Sequence, residues 1–219
     1  MPATPWSCSH LGINMAIKER LPSLEHLSLS AVSFQPPAEE MVCVFNFARL
    51  RSLELHNCHA RDILQSIAVT GITMVSTSFK ITIFWDSPSE GLDPLEPMEV
   101  LIAHFLSSFK GLEKLALKLP NQCHWAQVHR GTLNHVSTLK RVVFHRKGNQ
   151  AYMHGTGDAD VPWTNGMDQL AGSRTLASVG ISASSPSILV SLHKAISNAS
   201  FRAGSMIPNS ILVFLRHAS

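Results

Sequence analysis

Cysteine is scarce in this chain and badly placed for cross-linking. Cys8, Cys43, Cys58 and Cys123 are far apart and include no C-x-x-C pair. That spacing fits neither a disulfide-dense secreted framework nor a zinc module. Charge is also sparse: Asp, Glu, Lys and Arg make up 15% of the residues, and the net charge is only +3. So mild a bias is not that of a dedicated nucleic-acid binder. No apolar run approaches the roughly 18 residues that a membrane span requires. Met1 to Arg20 has no basic segment followed by an apolar stretch, so no secretory signal is expected. These absences together point to an intracellular chain, cytoplasmic or nuclear.

Hydrophobic residues are plentiful, at 45% of the 219, which is too apolar for a disordered chain and enough for a substantial core. They recur in a pattern. Leu24-Glu25-His26-Leu27-Ser28-Leu29, Leu50-Arg51-Ser52-Leu53-Glu54-Leu55 and Leu112-Glu113-Lys114-Leu115-Ala116-Leu117 all read LxxLxL. Leu139-Lys140-Arg141-Val142-Val143-Phe144 keeps the pattern with apolar replacements, and Leu176-Ala177-Ser178-Val179-Gly180-Ile181 keeps it more weakly. Phe79-Lys80-Ile81-Thr82-Ile83-Phe84 alternates without the leucines and reads as a further strand. Taking 27, 53, 81, 115, 142 and 179 as equivalent positions, the spacings are 26, 28, 34, 27 and 37 residues. The shortest fits a leucine-rich repeat, and the longer ones imply insertions between strands.

Between the strands, Ala60 to Val69 and Met98 to Phe109 carry apolar residues at helical spacing. Gly71 and Gly111 are expected to close these helices. Trp125 and Val128 suggest another short helix, and Glu39 to Phe47 a helical return. The expected architecture is an α/β leucine-rich-repeat solenoid, with about six short strands in one curved parallel sheet. An irregular lead occupies residues 1–20 and the solenoid 21–184. Residues 147–167 form an inserted loop, and 185–219 an atypical segment or cap.

The second repeat continues Leu50-x-x-Leu53-x-Leu55-x-x-Cys58 and resembles the cysteine-containing leucine-rich repeat of F-box-associated proteins. The segments LPSLEHLSLSAVSF at 21–34, FNFARLRSLELHNC at 45–58, FLSSFKGLEKLALKLP at 105–120, LNHVSTLKRVVFHRKG at 133–148 and DADVPW at 158–163 look like fungal F-box-like proteins. Leu21-Pro22-Ser23-Leu24-Glu25 only echoes the opening helix of an F-box, and those residues belong to the first repeat. The resemblance implies protein binding without catalysis, as the substrate-recognition part of a ubiquitin-ligase adaptor. A truncated product with no independent function and a small hydrolase are the alternatives.

Residues between the inward leucines should face out from the concave side of the sheet. The candidate protein-binding residues there are His56, Lys80, Phe84, Trp85, Lys114, Lys118, Arg141, His145 and Arg146. Across all the outward positions, which include Glu54, five lysines and arginines stand against one acid, so an acidic protein partner is expected, with the chain itself a monomer. Phe84 and Trp85 are candidate aromatic anchors. No catalytic, cofactor or metal residue is expected. Asp158-Ala159-Asp160 continues with Pro162 and Trp163 where a calcium loop needs an oxygen ligand and a glycine. Gly155-x-Gly157 lacks the third glycine of a dinucleotide site, and His56, Cys58 and His59 fall short of a four-ligand zinc set.

Overall fold

A computed structural model describes residues 23–31, 45–58, 60–70, 74–83, 96–120, 123, 125–147, 169–170 and 173–182. At 62, 69, 70, 146, 147, 181 and 182 only the backbone is described. The expected lead at 1–20, the expected loop at 147–167 apart from Lys147, Gly71, and residues 183–219 lie outside these.

Six strands form one sheet in chain order: β1 His26–Ser30, β2 Ser52–His56, β3 Ser78–Thr82, β4 Lys114–Pro120, β5 Arg141–Lys147 and β6 Ser178–Ser182. Every pairing is parallel. Three helices connect the middle strands: α1 Ala60–Thr70, α2 Met98–Ser107 and α3 Trp125–Leu133. The α/β class and the single six-stranded parallel sheet are as expected from the sequence.

Alternation decides which face is covered. Leu27, Leu53, Phe79, Leu115, Val142 and Val179 align in register, and Leu29, Leu55, Ile81, Leu117 and Phe144 form a second aligned row. All but the half-buried Leu29 are buried, in one cluster with helix residues such as Ile63, Ile67, Ile102, Phe105 and Val128. Burying each large apolar side chain stabilises the fold by roughly 1.5–3 kcal/mol. The residues between them in each strand lie on the opposite, open face. Phe79, not Ile81, is therefore the third repeat's equivalent of Leu53, because the strand begins at Ser78 and Phe79 takes the first inward position. The corrected steps are 26 from Leu53 to Phe79 and 36 from Phe79 to Leu115.

The strand entrances repeat one backbone device. The carbonyl before each strand accepts two amides from the next rung: Glu25 O from Arg51 and Ser52, Arg51 O from Thr77 and Ser78, Thr77 O from Glu113 and Lys114, Glu113 O from Lys140 and Arg141, and Lys140 O from Ala177 and Ser178, all at 2.8–3.1 Å. The first leucine of each LxxLxL sits just ahead of this carbonyl. In the third repeat Ser76 replaces it, fully buried, with its hydroxyl 3.2 Å from Arg51 O and 3.0 Å from Ser78 O. The strand exits repeat too. Ala31 N donates to His56 O, Asn57 N to Thr82 O and Ile83 N to Lys118 O. Ala31 and Asn57 reach these bonds with φ of 54° and 49°.

Helix α2 lies between α1 and α3 and is buried around most of its circumference, which explains its nearly continuous apolar sequence. It ends at Ser107, two residues short of the expected Phe109. Gly111 does not cap it; its φ of 90° turns the chain into Leu112 and β4. Around 39–47, the described residues show an isolated bridge at Phe45 and a 3-10 turn at Phe47–Arg49 in place of the end of a helical return.

His135 ties two of the connections together. Its Nε2–H donates to Leu106 O at 2.8 Å, and its Nδ1 accepts from Leu112 N–H at 3.4 Å. The neutral ring is the form that satisfies both bonds, and burial lowers its pKa below the ordinary histidine value. Its ring also stands 5.0 Å from Phe109, which stacks on through Phe105 to Phe79.

Candidate functional site

The open face is built from three rows that cross the strands in register. The first is His26, Ser52, Ser78, Lys114, Arg141 and Ser178. The second is Ser28, Glu54, Lys80, Ala116, Val143 and Gly180, and the third is Ser30, His56, Thr82, Lys118, His145 and Ser182. Parallel pairing without slippage aligns them: a one-residue shift would exchange these residues for the core leucines.

The structure brings six of the expected residues to this face: His56, Lys80, Lys114, Lys118, Arg141 and His145. Lys114, Arg141 and Lys80 are exposed, and the other three are half-buried. Arg146 pairs with Leu119, in the parity of Val142 and Phe144, so its register position is not on the open face. Its side chain lies outside the described residues, as do Phe84 and Trp85 entirely. The aromatic-anchor expectation therefore rests on the sequence alone.

Charge on this face is uneven. Glu54 is its one acid among the described residues, and its carboxylate lies 3.1 Å from His56 Nε2 and 3.7 Å from Lys80 Nζ. The His56 hydrogen bond lowers the Glu54 pKa; burial opposes it, and the Lys80 charge adds to the lowering. Lys80 is thus partly answered within the face. At the strand entrances, outside the three rows, Arg51 meets Glu25 at 3.3 Å and Lys140 meets Glu113 at 2.8 Å. Lys114 and Arg141 differ: among the described residues neither makes an ion pair. They stand opposite each other in register. The net positive charge of the open face is therefore centred on β4 and β5.

Ser78 and Ser178 flank this pair in the same row. Sequence reading passed over both. Each directly precedes the first inward apolar residue of its strand, Phe79 and Val179, and reading Ile81 as that residue in the third strand hides Ser78.

Cys58 follows the end of β2 and is not on the strand, so it does not share a strand face with His56. Burial raises its thiol pKa to about 11, so at neutral pH it packs as a small apolar group, a poor nucleophile and a poor metal ligand. Among the described residues, no three His, Cys, Asp or Glu side chains gather as metal ligands, and no helix is long and apolar enough to cross a membrane. This face carries charged, hydroxyl and small apolar side chains. No protein-family model, curated protein or solved structure matches the chain.

Proposed function

We propose that the chain is a leucine-rich-repeat solenoid of the cysteine-containing, F-box-associated kind, and that it binds an acidic protein partner on its open face without catalysing a reaction. The solenoid reading is supported by the recurrence of one inward leucine pattern and by the same double-acceptor carbonyl at all five rung junctions. The observation that carries the binding reading is the placing of Lys114, Lys118, Arg141 and His145 on the sheet face opposite the described helices, with Glu54 on β2. Electrostatic complementarity of this kind steers encounter and selects partners of opposite charge. By its resemblance to fungal F-box-like proteins, the chain acts inside the cell as a monomeric substrate-recognition part of a ubiquitin-ligase adaptor.

The test uses the full chain immobilised at low salt and a glutamate-rich peptide. Retention is expected, and it should fall as salt rises. The triple variant Lys114→Glu, Lys118→Glu, Arg141→Glu is expected to lose it. Undiminished retention by that variant, checked for a normal thermal melt, would overturn the reading.

A further inference from the structure

Charges that face each other across neighbouring strands of this sheet are mostly of opposite sign. Glu54 on β2 meets Lys80 on β3. At the strand entrances Glu25 meets Arg51, and Glu113 meets Lys140. One residue beyond that last pair, Lys114 stands directly opposite Arg141. Both are exposed, and among the described residues neither makes an ion pair. Lys118 and His145, further along the same strands, have contacts of their own within the chain. Like charges directly opposite one another are destabilising, so Lys114 and Arg141 hold a repulsion that the neighbouring pairs avoid.

The charge to be balanced constrains the occupant. Two adjacent cations call for two negative charges at one place. A carboxylate brings one, and two carboxylates set equally close repel each other. A phosphomonoester brings about −1.5 to −2 at neutral pH on a single group with three acceptor oxygens. The Lys114 and Arg141 Cα atoms lie one strand spacing apart, about 4.8 Å, so both long side chains can close on one such group. Their chemistry is complementary: the guanidinium fork takes two oxygens side by side, and the ammonium supplies a point charge.

The surroundings admit such a group. Ser78 and Ser178 flank the two cations in the same row, and this row holds no acid. Both serines are short, and among the described residues neither hydroxyl is engaged in a hydrogen bond. Glu113, next to Lys114 in sequence, is held by Lys140 at 2.8 Å. Glu54 stands two strands away in the next row, beside His56 and Lys80. We infer that Lys114 and Arg141 form a site for a phosphorylated serine or threonine of the protein partner. The inference rests on the reading of the open face as the protein-binding surface, and it adds that phosphorylation of the partner controls its capture. A phosphodiester carries one charge per group, so the same pair favours a phosphorylated protein over a nucleic acid.

The experiment is fluorescence anisotropy near neutral pH with the full 219-residue chain. Two labelled peptides share neutral flanks and carry either one phosphoserine or two adjacent glutamates. Inorganic phosphate and a single-stranded oligonucleotide are the other probes. The phosphopeptide should bind about tenfold tighter than the diglutamate peptide, the gain expected from one further charge-assisted contact. In the variant Lys114→Gln, Arg141→Gln, with a normal thermal melt, that advantage should disappear. Arg141→Lys keeps the charge and loses the fork, so it should keep the binding and lose most of the preference. Equal binding of the two peptides, abolished in the double variant, overturns the phosphoryl site and leaves the open-face reading standing. Binding that the double variant does not weaken, or no binding by either peptide, overturns both. Inorganic phosphate or an oligonucleotide that binds as tightly as the phosphopeptide overturns the protein occupant.

Discussion

Gly131 sits within α3, where glycine ordinarily weakens a helix by about 1 kcal/mol relative to alanine. Gly131→Ala should nevertheless destabilise the protein. A Cβ at this position would lie 2.9 Å from both Cα and the carbonyl oxygen of Ala103 in α2, and 3.2 Å from Leu106 Cβ. The two closest atoms are backbone, so no rotamer change relieves the overlap, and the helices must move apart by several tenths of an ångström. Overpacking of this kind costs roughly 1–3 kcal/mol, and a backbone-against-backbone contact belongs in the upper half of that range. Set against the helix-propensity gain, the net loss is about 1–2 kcal/mol. For a chain of this size that lowers Tm by roughly 2–8 °C, measurable by circular dichroism at 222 nm with urea midpoints alongside. Adding Ala103→Gly should not rescue the variant, because the Cα and carbonyl oxygen of residue 103 remain. A Gly131→Ala protein that melts higher than the parent would refute the close approach of α2 and α3.

Three further outcomes are expected. Ser76→Ala should lower stability by about 1 kcal/mol through lost hydrogen bonding, and Ser76→Leu, although it restores the repeat's own residue, should lower it by roughly 1–3 kcal/mol because the site is packed for a hydroxyl; urea titration decides, and a stabilised leucine variant would contradict the packing. Ala31→Gly should raise stability by about 1 kcal/mol, since alanine there holds a left-handed conformation that glycine adopts freely, and an unchanged midpoint would count against that geometry. His135 has a folded pKa lowered by burial. Its stabilising contribution is therefore complete above the unfolded value of about 6.5 and is lost as pH falls from there through the folded pKa, by at most about 1.4 kcal/mol per pH unit. Urea midpoints at pH 7.5 and 5.5 should diverge in the parent and less so in His135→Gln; equal divergence in the two would rule out His135 as the titrating group.

The sheet was legible because its information is local. Leu24, Leu27 and Leu29, and their counterparts in later repeats, fall within six residues of one another, and period-two alternation needs nothing else to assign an inward face. The same economy explains the misassigned third repeat. With Ser76 in the leucine's place, nothing local distinguishes Phe79 from Ile81 as the first inward residue; the register against Leu53 does. Nor did the sequence assign any role to His135 or Gly131. Their partners, Leu106, Leu112 and Ala103, lie more than twenty residues away and meet them only once α2 and α3 are packed.

The candidate site lies between these cases. That Lys114, Lys118, Arg141 and His145 face outward follows from alternation alone. That Lys114 stands opposite Arg141, and Glu54 opposite Lys80, requires the register. The distinction has a chemical consequence: the composition of the outward set gives one excess of positive charge, whereas the register joins Glu54 to Lys80 across β2 and β3 and sets Lys114 opposite Arg141 across β4 and β5, where neither makes an ion pair among the described residues. A count of outward lysines and arginines predicts that any acidic segment will bind wherever it lands. The register predicts that an acidic segment favours β4 and β5 over β2 and β3, and repulsion between Lys114 and Arg141 in the absence of an anion gives that prediction its energetic basis.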